Sequence, residues 1–200
     1  MGTCLAEYDV IFVTGLPGAG KTTFAAGLAA ALGGAPVVST DIVRAIGRLA
    51  LSPNTWLNTV SHEAWQLIGD TPCEENYTQG FRAHADAVME LACPMINDLV
   101  QQFKHVIVEG VHAYPSAVLS SRWRAAWVYL ELQNPSDMWA RKASARRDGR
   151  NVWSEHQEVL KAIDGALAGC PEDAKNIVRL RTNIYGDWPF EAVRETLDGF

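Results

Sequence analysis

The sequence is short of positive charge: 17 Lys and Arg stand against 23 Asp and Glu, a formal net charge of −6. A chain with that balance has no general attraction for polyanions, so any phosphate it binds needs a locally built site. Cysteine is scarce as well. Cys4, Cys73, Cys93 and Cys170 show no C-x-x-C spacing, which argues against a zinc cluster or a disulfide framework and for reduced thiols. No apolar run approaches the ~18 residues needed to span a bilayer, and the first residues lack a basic stretch followed by an apolar run and a cleavage site. The expectation is a cytoplasmic chain with no membrane contact. Internal repeats and low-complexity segments are missing. His62, His84, His105 and His156 show no ligand spacing and read as ordinary. Tryptophans without a basic run do not make a stacking platform for nucleic acid and read as core and pocket walls.

What is present suits one core: 200 residues, 48% hydrophobic and 20% charged, with a single domain expected over residues 1–200. Short apolar runs at Val10–Val13, Val37–Val38, Val106–Val108, Trp127–Leu132 and Ile177–Leu180 alternate with helical patterns, the signature of an α/β fold with a buried parallel sheet. Thr22–Leu32 reads as an Ala-rich helix stopped by Gly33-Gly34. Phe81, Ala85, Val88, Ala92, Met95, Leu99 and Phe103 recur at helical spacing and read as a core stripe, with Pro94 expected to kink or divide the helix. Between the second strand and that helix, residues 52–77 read as a substrate-covering insertion holding a Trp56–Ile68 helical pattern. Arg146-Arg147-Asp148-Gly149-Arg150-Asn151 reads as part of a loop, within a lid expected over about 141–155.

Gly15-Leu16-Pro17-Gly18-Ala19-Gly20-Lys21-Thr22 has the G-x-x-x-x-G-K-[ST] spacing and lies between the first apolar run and a helix. Glycines there let backbone N–H groups wrap a phosphate in front of a helix N-terminus. The segment predicts ATP and Mg²⁺ as ligands, with Gly15, Pro17, Gly18, Ala19, Gly20, Lys21, Thr22 and Thr23 around the nucleotide. Lys21 can reach the β- and γ-phosphates, and the Thr22 hydroxyl can ligate the metal. Ser39-Thr40-Asp41-Ile42-Val43-Arg44 begins where the second strand should end. Asp41 can accept a proton from an attacking hydroxyl and Arg44 can hold an anionic group; the alternative is Asp41 as a helix cap and Arg44 as a solvated side chain. The third strand delivers Glu109, a second candidate for the metal, followed by Gly110 and by His112, which either touches substrate or is hydrogen-bonded structurally. Arg141, Arg146, Arg147 and Arg150 follow the fourth strand. One or two of them, with Arg141 and Arg146 the candidates, suit charge neutralisation during phosphoryl transfer.

The stretches at 15–23 and 39–44 resemble the small P-loop kinases that include polynucleotide kinases and zeta-type toxins. Gln79-Gly80-Phe81-Arg82-Ala83-His84 with Val88, and Val108-Glu109-Gly110-Val111-His112-Ala113-Tyr114-Pro115, are similar to the 2-phosphoglycerate kinase family. The resemblance implies a doubly wound nucleoside-kinase-like sheet of five parallel strands in the order 2-3-1-4-5. It also implies Asp41 as general base and Arg44 as a substrate contact; with them, Arg82 and His112 are expected to line a small anionic pocket. Three readings follow: a kinase acting on a hydroxyl of a small anionic metabolite, a nucleic-acid kinase such as the phage type acting on 5-hydroxymethyluracil in DNA or one acting on a polynucleotide end, or a nucleotide-sensing module without turnover.

Overall fold

The computed structural model describes residues 7–51, 55–116, 119, 122–136, 156–169 and 177–182. Five parallel strands form one sheet: β1 (Val10–Thr14), β2 (Val37–Ser39), β3 (Val106–Glu109), β4 (Ala125–Leu132) and β5 (Ile177–Thr182), in the order β2-β3-β1-β4-β5. The expected order and all five apolar runs are borne out. The intervening helices are α1 (Lys21–Ala31), α2 (Thr40–Ala50), the short α3 (Thr55–Asn58), α4 (Glu74–Gln102) and α5 (Gln157–Ala168), with a 3-10 turn at Ala64–Leu67.

The central strand shows why the runs are continuous rather than alternating. Both faces of β1 are covered, so side chains pointing either way must be apolar. Val10 and Phe12 join Val88, Met89, Ile96 and Trp127 on one side, and Phe12 stacks on Trp127 with ring centroids 4.8 Å apart. Ile11 and Val13 join Phe24, Ala25 and Leu28 of α1 on the other. A third cluster ties Leu16 of the glycine-rich loop to Tyr77 and Phe81 of α4 and to Val159, Leu160 and Ile163 of α5, fixing the loop against two helices.

Strand register places the chemistry. Val13 and Ser39 both pair with Glu109, and Thr14 pairs with Tyr129. The carboxyl ends of β1, β2 and β3 therefore lie side by side. The loop after Thr14, the helix after Ser39 and the acid ending β3 open on one edge, at the point where the strand order reverses.

Three expectations are corrected. Pro94 does not divide its helix into two elements: α4 runs unbroken for 29 residues, starting at Glu74. Pro94 lies on the exposed side, where water can take the carbonyl it leaves unbonded, while Val88, Met89, Ala92, Cys93 and Ile96 on the buried side hold the flanking turns against the sheet. Within the core stripe, Phe81, Ala85, Val88 and Ala92 are buried, but Met95 and Phe103 are 41% and 43% exposed: the buried face continues through Cys93 and Ile96 instead of Met95, and Phe103 lies just past the helix end. The Trp56–Ile68 pattern is two short pieces joined by turns rather than one helix. Arg44 Nη1 donates to the carbonyls of Leu57 and Thr59 at 3.2 and 2.8 Å, drawing those acceptors away from a continuing helix, and fully buried Leu57 anchors the segment in the core. The expected lid at 141–155, with Arg141, Arg146, Arg147 and Arg150, lies outside the described residues, as does the start of the insertion at 52–54.

Candidate active site

The loop from Gly15 to Gly20 is shaped as its spacing predicts. Gly15, Gly18 and Gly20 have φ of 145°, 98° and 83°, and a Cβ on Gly15 would meet the Leu130 carbonyl oxygen at 2.5 Å. Gly20 is the residue before α1. The helix start has no side-chain cap bond and no acid in its first turn, so its N–H groups and the positive end of its dipole face the loop without a competing anion. Lys21 Nζ donates to the Gly15 and Leu16 carbonyls at 3.0 Å each, holding the ammonium across the loop. These features fit a bound nucleotide phosphate. Thr22 Oγ1 donates to Glu109 Oε2 at 3.4 Å, so the two proposed metal ligands lie together although 87 residues separate them in sequence. An oxygen-only pair beside a phosphate cradle fits Mg²⁺, which takes few protein ligands and fills its octahedron with phosphate and water. Thr23, next along the helix, is exposed on the same first turn.

Behind this pair the backbone of β3 passes close to α2. Gly110 has φ of 142°, and a Cβ there would collide with Thr40 Oγ1, so no other residue fits without separating the strand end from the helix start. Thr14 Oγ1 donates to the Gly110 carbonyl at 3.2 Å and locks the same turn to β1.

Asp41 and His112 meet at this edge in different states. The Asp41 side chain is 73% exposed, whereas His112 is 1% exposed, with Nδ1 3.0 Å from Thr40 Oγ1 and Nε2 3.2 Å from Ser61 Oγ. His112 Nδ1 also lies 3.8 Å from Asp41 Oδ1. That contact is not an ion pair: burial foremost, then the charges around it from His84, Arg44 and Lys21, hold the imidazole well below its usual 6.5, so it is neutral. With both ring nitrogens engaged, His112 clamps Thr40 and the insertion's Ser61 together and is not poised to reach out. Asp41 is the anionic group at the mouth.

His84 is the residue whose importance was not visible in the sequence. It is fully buried, its ring sits edge-on to His112 with centroids 4.8 Å apart, and neither ring nitrogen has a hydrogen-bond partner among the described residues. Burial, with a smaller contribution from Arg44, lowers its pKa to about 4. The unfolded imidazole takes a proton near 6.5 and the folded one only near 4, so between those values the unfolded state binds more protons and stability falls as pH falls. By pH 4 the loss from His84 is on the order of 3 kcal/mol. Denaturant titrations from pH 7 to 4 should show this slope in the wild type and a shallower one in His84→Leu.

Arg44 stands at the same edge, with Nη1 taken by the insertion's carbonyls. Arg82 is not brought to it. Two residues from buried His84 on the same helix, it points the other way and is exposed. It lines a cleft of about 610 Å³ between α4 and α5 with Tyr77, Thr78, Glu158 and Lys161. Of the contacts the sequence did not single out, Thr40 and His84 were within quoted motifs, and Ser61 lay in the Trp56–Ile68 stretch, where nothing marked it as a partner of His112.

Sheet order, phosphate loop and strand-end acid together define the architecture of a P-loop kinase. An AAA domain family model matches residues 11–161, and the chain belongs to that family. It is similar to the 2-phosphoglycerate kinase of Methanopyrus kandleri, 30% identical over 114 residues that cover 56% of this chain and 35% of the relative. It is also similar to the 2-phosphoglycerate kinase of Methanococcus maripaludis strain C6, 31% identical over 169 residues, covering 78% of this chain and 54% of the relative. The chain thus spans between a third and about half of these relatives' length. Among solved structures, a shikimate kinase from Bacteroides thetaiotaomicron matches with a TM-score of 0.50 at 18% identity, covering 96% of this chain and 95% of that one. A protein from Chloroflexus aurantiacus matches with a TM-score of 0.54 at 15% identity, covering 96% and 97%. These two likenesses speak for the fold. Among the described residues no helix is long and apolar enough to cross a membrane.

Proposed function

We propose that the chain is an ATP-dependent kinase that transfers the γ-phosphoryl of Mg·ATP to a hydroxyl of a small anionic metabolite, with 2-phosphoglycerate the first acceptor to test. The observation that carries this reading is the placement of exposed Asp41 on the sheet edge that also holds the Lys21 loop, with His112 buried and occupied beside it. In the proposed step the acceptor oxygen bonds to the γ-phosphorus as the bond to the β–γ bridging oxygen breaks. The hydroxyl proton passes to the Asp41 carboxylate and ADP leaves. Thr22 and Glu109 would hold Mg²⁺, which when bound neutralises charge on the β- and γ-phosphates. Lys21 stabilises the charge that develops on the transferring group.

An anionic acceptor is supported by Arg44 at this edge and by the names of the curated relatives, and the net charge of −6 supports a small molecule over a polyanion. The test is to incubate the protein with γ-labelled ATP and Mg²⁺ against phosphorylated hydroxy acids, neutral polyols and DNA. Label in an anionic hydroxy acid is expected. Label only in polyols or DNA overturns the acceptor class, and nucleotide binding with no acceptor-dependent label favours a sensing module.

A further inference from the structure

We infer that His62, Glu63 and His156 form a site for a divalent transition-metal cation, with zinc the best match, which ties the insertion to the foot of α5. One ligand atom from each residue lies within 4.8 Å of the others. The two imidazole rings face each other with centroids 4.5 Å apart and planes tilted by 44°. The three come from distant parts of the chain: His62 and Glu63 sit in the turn before the 3-10 segment at Ala64–Leu67, and His156 is the residue that caps α5. Sequence spacing gave no hint of this, because the third ligand arrives only after the fourth strand.

The donor set decides the metal. Two imidazole nitrogens and one carboxylate oxygen suit zinc, with bonds of about 2.0–2.2 Å and a tetrahedral spread that sets donors about 3.3 Å apart. Side-chain rotations of roughly 1.5 Å therefore close the cluster around an ion. His62 and His156 are half-buried and Glu63 is exposed, so the donors are reachable from solvent, and the fourth position is open to water. Mg²⁺ and Ca²⁺ prefer six or more oxygens, so this trio does not compete for the metal expected at Thr22 and Glu109.

The position gives the ion a consequence. His62 follows Ser61, whose hydroxyl lies 3.2 Å from His112 Nε2. A cation fixed on His62, Glu63 and His156 immobilises the turn that carries Ser61 and anchors it to the helix that follows the expected lid segment. The site uses none of the residues proposed for phosphoryl transfer, so it stands or falls independently of the kinase reading.

The experiment is a titration of the nucleotide-free, tag-free full chain with Co²⁺, followed by the visible bands of tetrahedral cobalt and by displacement with Zn²⁺. One equivalent is expected to bind. Outer-shell support of a metal ligand is worth 10- to 100-fold in affinity, so loss of a ligand itself in His62→Ala or His156→Ala should weaken binding by at least about tenfold. Zn²⁺ should raise the melting temperature of the wild type and of Cys73→Ser but not of the two histidine variants, whose metal-free melting temperatures and circular dichroism check that they fold. The inference is overturned by a wild type with no saturable uptake, by histidine variants that bind as tightly as the wild type, or by loss of binding in Cys73→Ser.

Discussion

Asp41→Asn is expected to slow phosphoryl transfer by roughly 10²- to 10⁴-fold, the range that a positioned general base supplies, while ATP affinity stays within about twofold. The substitution keeps shape and removes only basicity. Asp41 is exposed, so no buried charge is left unpaired, and its neighbour His112 is held neutral by burial and cannot take over the proton. The split between binding and turnover is the diagnostic. Fluorescent-nucleotide titration gives the first quantity and acceptor-dependent ADP release the second. An Asp41→Asn protein with near-normal turnover removes Asp41 from the role.

Lys21→Ala should damage both quantities. Its ammonium lies across the phosphate loop on the Gly15 and Leu16 carbonyls, where it can meet the β- and γ-phosphates. A charge-assisted hydrogen bond is worth about 1.5–3 kcal/mol, which corresponds to a loss of roughly 10- to 100-fold in nucleotide affinity. Turnover at saturating ATP should fall by a further factor of about 10² to 10³, as when a donor to developing charge is removed. The fold should survive, because the loop's shape comes from its glycines and from Leu16, buried against α4 and α5, and not from this side chain. Calorimetric titration of ATP with the wild type and variant, alongside melting curves, separates lost binding from lost folding.

The contrast between these residues and the rest of the site shows what a sequence can reveal. The phosphate loop, Asp41 and Glu109 were legible because each directly follows or ends a continuous apolar strand, and strand register alone then brings Ser39, Val13 and Glu109 level. The five-stranded order followed from a family resemblance and is what the sheet shows. Pro94 does not break its helix in two, because a local rule about proline gives way when the flanking turns are held by Val88, Met89 and Ile96. The Trp56–Ile68 pattern misled because its end is set by Arg44, a residue on another helix. His84, Ser61 and the His62–Glu63–His156 group were illegible for the same reason: their partners are remote in sequence, and a spacing rule sees only neighbours. Arg82 was the reverse case, a charge within a recognisable motif that helical geometry turns away from the edge it was expected to line.

The most direct test of the central reading is a quench experiment with γ-labelled ATP, Mg²⁺ and 2-phosphoglycerate, in which ADP, inorganic phosphate and phosphorylated acceptor are quantified together. The account predicts acceptor-dependent ADP formation matched one for one by label in a doubly phosphorylated product, with Asp41→Asn silent in the same assay. ADP matched instead by inorganic phosphate, at a rate indifferent to every acceptor tested, would contradict it.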